Sequence, residues 1–382
     1  MPKKLNIVHL IPNLGIGGAE NVVLNLFRHI DKQKFTIKIL YWENRNELAA
    51  NQSINSDQII RIKLDRVVSW NSILIIARLL REYRADLIHT HFIDADLIGL
   101  IAAKLTKIPN IISIHSYPFP RKRSHCLRYG ILSALSGRIL CVSKAVQKHF
   151  LSVCRANSEK VACVYNGIDL NKFSIAMVRQ SPAALKESLG IEKNRIIIGN
   201  VSRLVSGKGH RCLLKAFAGV HKINPQSVLL IVGGGYLHKE LVKLSQDLKI
   251  HENVVFTGPR SDIAELLNIM DIFIFPAVNE AFGLCTIEAM AMKKPIVAAN
   301  HSAMHELIEN NINGILVDPQ DPNAISEAVI QLLKSPEIRE KISIAARAKV
   351  DEFSLEKMIA KTESIYESVI KSKRNQRLRA LG

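Results

Sequence analysis

A chain of 382 residues is long for one hydrophobic core and predicts two domains. Hydrophobic residues at 48% and charged residues at 23% match a folded globular protein and exclude a low-complexity or disordered chain. A net charge of +18 raises the alternative of a basic nucleic-acid-binding protein, but aromatics are only 5% and no helix-turn-helix, RNP or zinc-finger pattern is visible, so no nucleic-acid partner is expected.

The N-terminus, MPKKLNIVHLIPNLGIGG, imitates a signal peptide with two lysines before an apolar run. That run is short, holds Asn6 and His9, and leads into glycines rather than a cleavage site, so it reads as a first strand. Strand candidates then fall at 5–11, 35–40, 86–91, 110–115, 138–142 and 161–165, with helical periodicity between them, as in AENVVLNLFRHI and SILIIARLLREY. A polar stretch with a proline, 171–194, breaks the alternation and reads as a linker. The pattern restarts at 195–201, 227–234, 253–258, 271–276, 295–299 and 314–318. Near-continuous apolar strands alternating with helices predict an α/β chain with parallel sheets. The expected architecture is two doubly wound, Rossmann-like domains, 1–170 and 195–354, facing each other across a cleft, with ligands at the carboxyl ends of the strands.

Six cysteines at 126, 141, 154, 163, 212 and 285 are scattered singly, several inside apolar runs, and read as buried reduced thiols of a cytosolic protein. No apolar stretch approaches the roughly 20 residues of a membrane span. The positive charge is uneven: residues 1–170 hold 24 Lys+Arg against 12 Asp+Glu, residues 171–370 hold 23 against 22, and the tail 371–382 has five basic residues and no acid. A basic first half suits an anionic lipid, a phosphorylated acceptor or nucleic acid. The stretch RKRSHCLRYGILSALSGRIL (121–140) mixes basic residues with an apolar face, either an interfacial helix or a core helix with a solvated rim.

Two segments carry the chemistry. In FPAVNEAFGLCTIEAMA (275–291) a strand ends near Pro276, a loop holds Glu280, and Phe282-Gly283-Leu284 opens a helix bearing Glu288. Gly283 lets backbone amides approach a ligand, and the helix start is a natural phosphate seat. Two carboxylates beside such a seat fit a ligand rich in hydroxyls, or else an ordinary acidic helix face. In GNVSRLVSGKGH (199–210) Arg203 and Lys208 flank a glycine-rich turn at a strand end, which matches a diphosphate or a solvated basic turn; the Walker spacing is absent. His89 and His91 share one strand face, but no third metal ligand is evident, so a cleft-lining or satisfied role is expected and no metal site. The run Gly233-Gly234-Gly235 lacks a full dinucleotide fingerprint and is read as keeping the cleft open.

The chain resembles the retaining glycosyltransferases of family 4, which have the two-domain GT-B fold. The likeness covers nearly the whole chain and rests on GIGGAE (15–20), DLIHTH (86–91), SIHS (113–116), CVSKAV (141–146), YNGID (165–169), GNVSRLVSGKGH, LIVGGG (230–235), FTGPRSDI (256–263) and NEAFGLCTIEAMAMKKPIVA (279–298). The resemblance implies that Arg203 and Lys208 hold the donor diphosphate, that Glu288 binds ribose hydroxyls, and that Glu280 and the backbone of Phe282, Gly283 and Leu284 contact the transferred sugar. Gly17 and Gly18 are then expected against donor phosphate and acceptor, His115 against the sugar, Arg260 beside the base through its backbone, and His89 and His91 on the acceptor side. The C-terminal helix, about 355–382, is expected to return to the first domain.

The implied activity is sugar transfer with retention from a nucleotide sugar, UDP-linked by preference, to a saccharide or lipid-linked acceptor in cell-surface polysaccharide or glycolipid synthesis. No metal and no cofactor is expected, and Asp94-Ala95-Asp96 sits at a helix start rather than where metal-dependent transferases carry Asp-x-Asp. A cytoplasmic enzyme is expected, peripheral to the inner face of the membrane. Within the fold, a sugar-nucleotide epimerase or a phosphorylase is the alternative, though no acid–base set or pyridoxal lysine context is apparent.

Overall fold

Each apolar run is flanked by amphipathic helices that can cover a sheet face, and the runs accordingly form parallel strands. The structure, a computed structural model, describes residues 3–46, 57–117, 123–301 and 303–379. It forms two compact units, the first running to Gly167 and resuming at Leu355, the second being Ile168–Ser354. The boundary falls inside YNGID, and the stretch 171–194 read as a linker belongs to the second unit.

The first unit contains β1 (Leu5–Leu10), α1 (Gly18–His29), β2 (Phe35–Tyr41), β3 (Ile59–Arg61), α2 (Trp70–Glu82), β4 (Leu87–His91), α3 (Ile93–Thr106), β5 (Asn110–Ile114), α4 (Arg123–Leu135), β6 (Arg138–Cys141), α5 (Lys144–Cys154) and β7 (Val161–Cys163). The strands are all parallel, in the order β3-β2-β1-β4-β5-β6-β7. Strand β3 has no counterpart in the sequence reading: it is three residues long, at the sheet edge, with Arg61 exposed. One sheet face packs Ile7, Ile37, Ile39, Leu87 and Ile111 beneath α1. The other packs Val8, Leu10, Leu40 and Ile88 against Ile76 and Leu80 of α2 and Ile98 of α3.

The second unit contains α6 (Pro182–Ser188), β8 (Ile196–Val201), α7 (His210–Ile223), β9 (Ser227–Val232), α8 (His238–Asp247), β10 (Val254–Gly258), α9 (Ile263–Ile269), β11 (Ile272–Phe275), α10 (Leu284–Ala291), β12 (Ile296–Ala299), α11 (Met304–Leu307), β13 (Ile315–Val317), α12 (Pro322–Lys334) and α13 (Pro336–Lys349). Helix α6 forms inside the supposed linker because Ser181 caps it, Pro182 suits its first position, and Leu185 is buried. The sheet order is β10-β9-β8-β11-β12-β13, all parallel. The final helix α14 (Leu355–Arg379) buries Leu355, Met358, Ile359, Tyr366, Val369 and Ile370 in the first unit's core.

In both sheets the winding direction reverses at one place, between β1 and β4 and between β8 and β11. Such switch points leave a crevice at the strand ends where doubly wound sheets take ligands. No helix among the described residues is long and apolar enough to cross a membrane. Five of the cysteines are free thiols, and the side chain of Cys126 lies outside the described residues.

Candidate functional site

Both chemistry-bearing segments leave the sheet at the second switch point, from neighbouring strands β8 and β11. Three links join their loops. The Val278 N–H donates to the Gly207 carbonyl at 2.9 Å. Lys208 Nζ donates to Glu280 Oε2 at 2.5 Å, and both side chains are largely buried. Gly209 holds φ +77°, and a Cβ there would lie 2.1 Å from the Pro276 carbonyl oxygen. Two signals 70 residues apart in sequence are therefore one constellation, with Lys208 also 5.6 Å over the Phe275 ring.

Helix α10 starts at Gly283, which has φ +91° and provides no side-chain cap, so the first-turn amides are free of a capping side chain. A Cβ on Gly283 would meet Met304 Cε at 2.4 Å. Phe282 is buried with its ring 5.7 Å from that of Phe353, which anchors the loop. Glu288 lies one turn into the helix, and burial pushes its carboxyl up to about 7 despite the nearby Lys172. The Cys285 thiol, between them in sequence, is pushed well up by burial and by the charges of Glu280 and Glu288, which places both carboxylates around it.

Arg203 is exposed and makes no ion pair among the described residues. The glycine run positions it. A Cβ on Gly233 (φ +137°) would lie 2.0 Å from the Ser202 carbonyl oxygen, one on Gly235 (φ +158°) 2.3 Å from that of Leu204, and the Leu204 N–H donates to Gly234 at 2.8 Å. The three glycines thus back the loop that carries Arg203 instead of leaving open space. Arg260 forks Asp262 at 2.8 and 2.5 Å, which occupies its side chain.

Sequence reasoning passed over two residues here. His210 Nε2 is hydrogen-bonded to Ser202 Oγ at 2.9 Å, Ser202 donates to Asn200 Oδ1 at 2.9 Å, and Asn200 Nδ2 donates to the Ile274 carbonyl, so the trio ties β8 to β11. Burial, then Lys208, holds His210 down to about 4. Its signal was present as the last residue of GKGH. Lys172 gave none, since it lies in the polar stretch taken for linker.

In the first unit Gly17 is extended (φ −168°) and precedes α1, and its missing side chain leaves room for Glu20, whose Oε2 would be 2.2 Å from a Cβ. Gly18 is the first helical residue. His89 and His91 are fully buried, and the third histidine that the sequence did not betray is His9, opposite His89 on β1. The ligand nitrogens of these three lie within 4.8 Å of one another. Within the cluster His9 Nδ1 and His91 Nε2 are hydrogen-bonded at 2.9 Å, and His91 Nδ1 and His115 Nε2 at 2.9 Å. His89 Nδ1 meets Tyr366 OH at 2.7 Å and His89 Nε2 meets Ser113 Oγ at 2.8 Å. All three rings are thus buried and hydrogen-bonded within the first unit. Asp96 at the start of α3 is fully buried and accepts from Thr90 Oγ1 at 2.6 Å, and burial raises its carboxyl well above the ordinary value. Arg121 and Lys122 of the basic cluster lie outside the described residues, and α4 exposes Leu127, Ile131 and Leu135.

A family model described as Glycosyltransferase Family 4 matches residues 16–172, and one described as Glycosyl transferases group 1 matches residues 183–349. The chain is 23% identical to the UDP-Gal:alpha-D-GlcNAc-diphosphoundecaprenol alpha-1,3-galactosyltransferase of Escherichia coli, over 97% of this chain and 98% of that protein. It is 25% identical to the N-acetyl-alpha-D-glucosaminyl L-malate synthase of Bacillus anthracis, over 79% and 80%. Among solved structures, a glycosyltransferase from Rickettsia africae matches with TM-score 0.82 at 26% identity, covering 96% of this chain and 99% of that one. HepE of Anabaena in complex with UDP matches with TM-score 0.84 at 22% identity, over 95% and 100%.

Proposed function

The chain belongs to glycosyltransferase family 4 and has a GT-B fold of two Rossmann-like domains, and we propose that it transfers a sugar, with retention, from a UDP-linked donor to a saccharide or lipid-linked acceptor in cell-surface polysaccharide or glycolipid assembly. The carrying observation is the Lys208–Glu280 pair beside the uncapped start of α10, with unpaired Arg203 on the adjoining loop. The donor of the Escherichia coli relative and the UDP bound by HepE support the choice of nucleotide.

In this reading Arg203 and Lys208 take the diphosphate and neutralise the departing nucleotide, helped by the amides of α10. Diphosphate competes with Glu280 for Lys208, which frees Glu280 to accept from hydroxyls of the transferred sugar alongside the backbone of Phe282–Leu284. Glu288, half-buried and with a carboxyl met by no hydrogen-bond donor among the described residues, gains two in the ribose hydroxyls, and such bonds favour its charged form. Arg260 contributes backbone beside the base. Gly17, Gly18 and His115 are assigned to donor phosphate and sugar on the family resemblance. Because the protein itself supplies the positive field, no metal is required.

The test is a panel of UDP-, GDP- and ADP-sugars, with nucleoside diphosphate release and product anomer read by NMR. Release with a UDP-sugar, an unchanged anomer, an undiminished rate in excess chelator, and loss of transfer in folded Lys208→Met and Glu280→Gln chains are expected. Full activity in both variants would overturn the site.

The membrane side of the reading rests on α4. Leu127, Ile131 and Leu135 recur every fourth residue and are 67%, 53% and 48% exposed, while Lys160 Nζ donates to the Ala134 carbonyl at the helix end. An apolar stripe beside fixed positive charge, on the half of the chain with the basic excess, fits the inner face of an anionic membrane. Co-sedimentation with anionic liposomes should fall when Ile131 becomes Glu, and equal binding by neutral liposomes would refute the charge argument.

A further inference from the structure

Among the described residues the buried His115 Nδ1 meets no hydrogen-bond partner, yet its other ring nitrogen ends an unbroken file of groups. The file runs from His115 through His91 to His9, on to Tyr366 OH, at 3.2 Å from His9 Nε2, then to His89 and Ser113. We propose that this file fixes His115 Nδ1 as a bare lone pair, an acceptor for a ligand hydroxyl, so that His9, His91, His89, Tyr366 and Ser113 are positioning residues for His115.

Hydrogens and lone pairs can be counted along the file. A neutral imidazole has one N–H and one lone pair, and a hydroxyl has one hydrogen. Each imidazole that accepts at one nitrogen must donate at the other, so direction passes unchanged through every histidine, and only the Tyr366 oxygen, with two lone pairs, can accept from both sides. Besides an order in which the Tyr366 oxygen accepts from both His9 and His89, which strands the buried phenol hydrogen and again leaves His115 Nδ1 bare, two orders exist. In one, Ser113 donates at its end and the leftover donor is an N–H at His115 Nδ1. In the other, His115 Nε2–H donates to His91, His91 to His9, His9 to the Tyr366 oxygen, Tyr366 to His89, and His89 to Ser113, so the leftover donor is the Ser113 hydroxyl.

Geometry decides between them. The Ser113 hydroxyl hydrogen can rotate about its C–O bond toward another acceptor, whereas an N–H at the buried His115 Nδ1 would point one fixed way and meet none among the described residues. A buried donor without an acceptor is rarer in folded proteins than an unmet acceptor. The second order therefore prevails. Neutrality is supported independently: burial holds His9 down to about 3 and His115 to about 4, and lowers His89 and His91 well below the ordinary value. Burial also keeps the proton on Tyr366. The use of the lone pair by a sugar hydroxyl rests on the transferase reading above, but the order of the file does not.

The experiment is two-bond proton–nitrogen NMR of the 15N-histidine-labelled full chain at neutral pH, without donor or acceptor. His115 should show a protonated Nε2 and a bare Nδ1. Tyr366→Phe removes only a hydroxyl that His115 does not touch. It leaves one surplus N–H to be shared between His9 Nε2 and His115 Nδ1, so the Nδ1 resonance should move toward the protonated range. Ser113→Ala, which creates the same surplus from the far end, should move it likewise and serves if the tyrosine variant folds poorly. A protonated Nδ1 in the unaltered chain, or an unmoved resonance in both variants, would overturn the file. Full transfer by His115→Gln would instead remove the substrate contact while leaving the NMR result standing.

Discussion

Acidification should unfold the first unit at an unusually mild pH. Its core carries four neutral histidines, with His9 held to about 3 and His115 to about 4 by burial, against an ordinary value of 6.5. Because their folded pKa values are depressed, the unfolded chain binds protons first as pH falls. The stability these groups contribute is complete above about 6.5 and is lost progressively down to about 3–4. Each pH step below 6.5 costs about 1.4 kcal/mol per histidine, so at pH 5 His9 and His115 together cost about 4 kcal/mol. His89 and His91 shift in the same direction and add to it. That loss approaches the 5–15 kcal/mol total typical of a domain. Both tryptophans, Trp42 and Trp70, lie in the first unit, so their fluorescence in urea titrations at pH 7.5 and pH 5 isolates it. A midpoint unchanged between those pH values, or a loss beginning only below pH 4, where carboxylates titrate, would refute the reasoning.

Other outcomes follow from the second unit. Glu288→Gln should weaken donor binding about tenfold, as expected for one lost charge-assisted hydrogen bond, yet raise the melting temperature at pH 8. The carboxyl is raised to about 7 in the fold, so its stabilising effect is lost as pH rises through 7 and the amide escapes that penalty. A lower melting temperature at pH 8 would contradict this. Gly209→Ala should destabilise by at least the roughly 1–3 kcal/mol of a left-handed non-glycine residue, because the added Cβ also strikes Pro276, and UDP binding should fall with it; native melting and binding would show that the loop yields. Lys208→Met should reduce kcat by roughly 10²–10³, the scale of losing one charge-stabilising donor, and the loss should shrink in a Glu280→Gln background because the two share one pair; independent effects would mean they do not act together.

Much of this protein is written locally. Every strand from β1 to β13 except β3 appears as an apolar run, because a strand covered on both faces must be apolar along its length. Motif chemistry is local as well: Arg203, Lys208, Gly283 and the two glutamates announce themselves by residue type at strand ends. Tertiary structure decided the rest. The ion pair of Lys208 with Glu280 and the clash that reserves Gly209 for glycine depend on β8 and β11 being neighbours, which a crossover connection hides from any window of sequence. His9 reads as one polar interruption of an apolar strand until β1 pairs with β4, and Tyr366 as one residue of a long helix until α14 inserts it between His9 and His89. Periodicity shows which residues are buried. Only the pairing of elements distant in the chain determines what they are buried against.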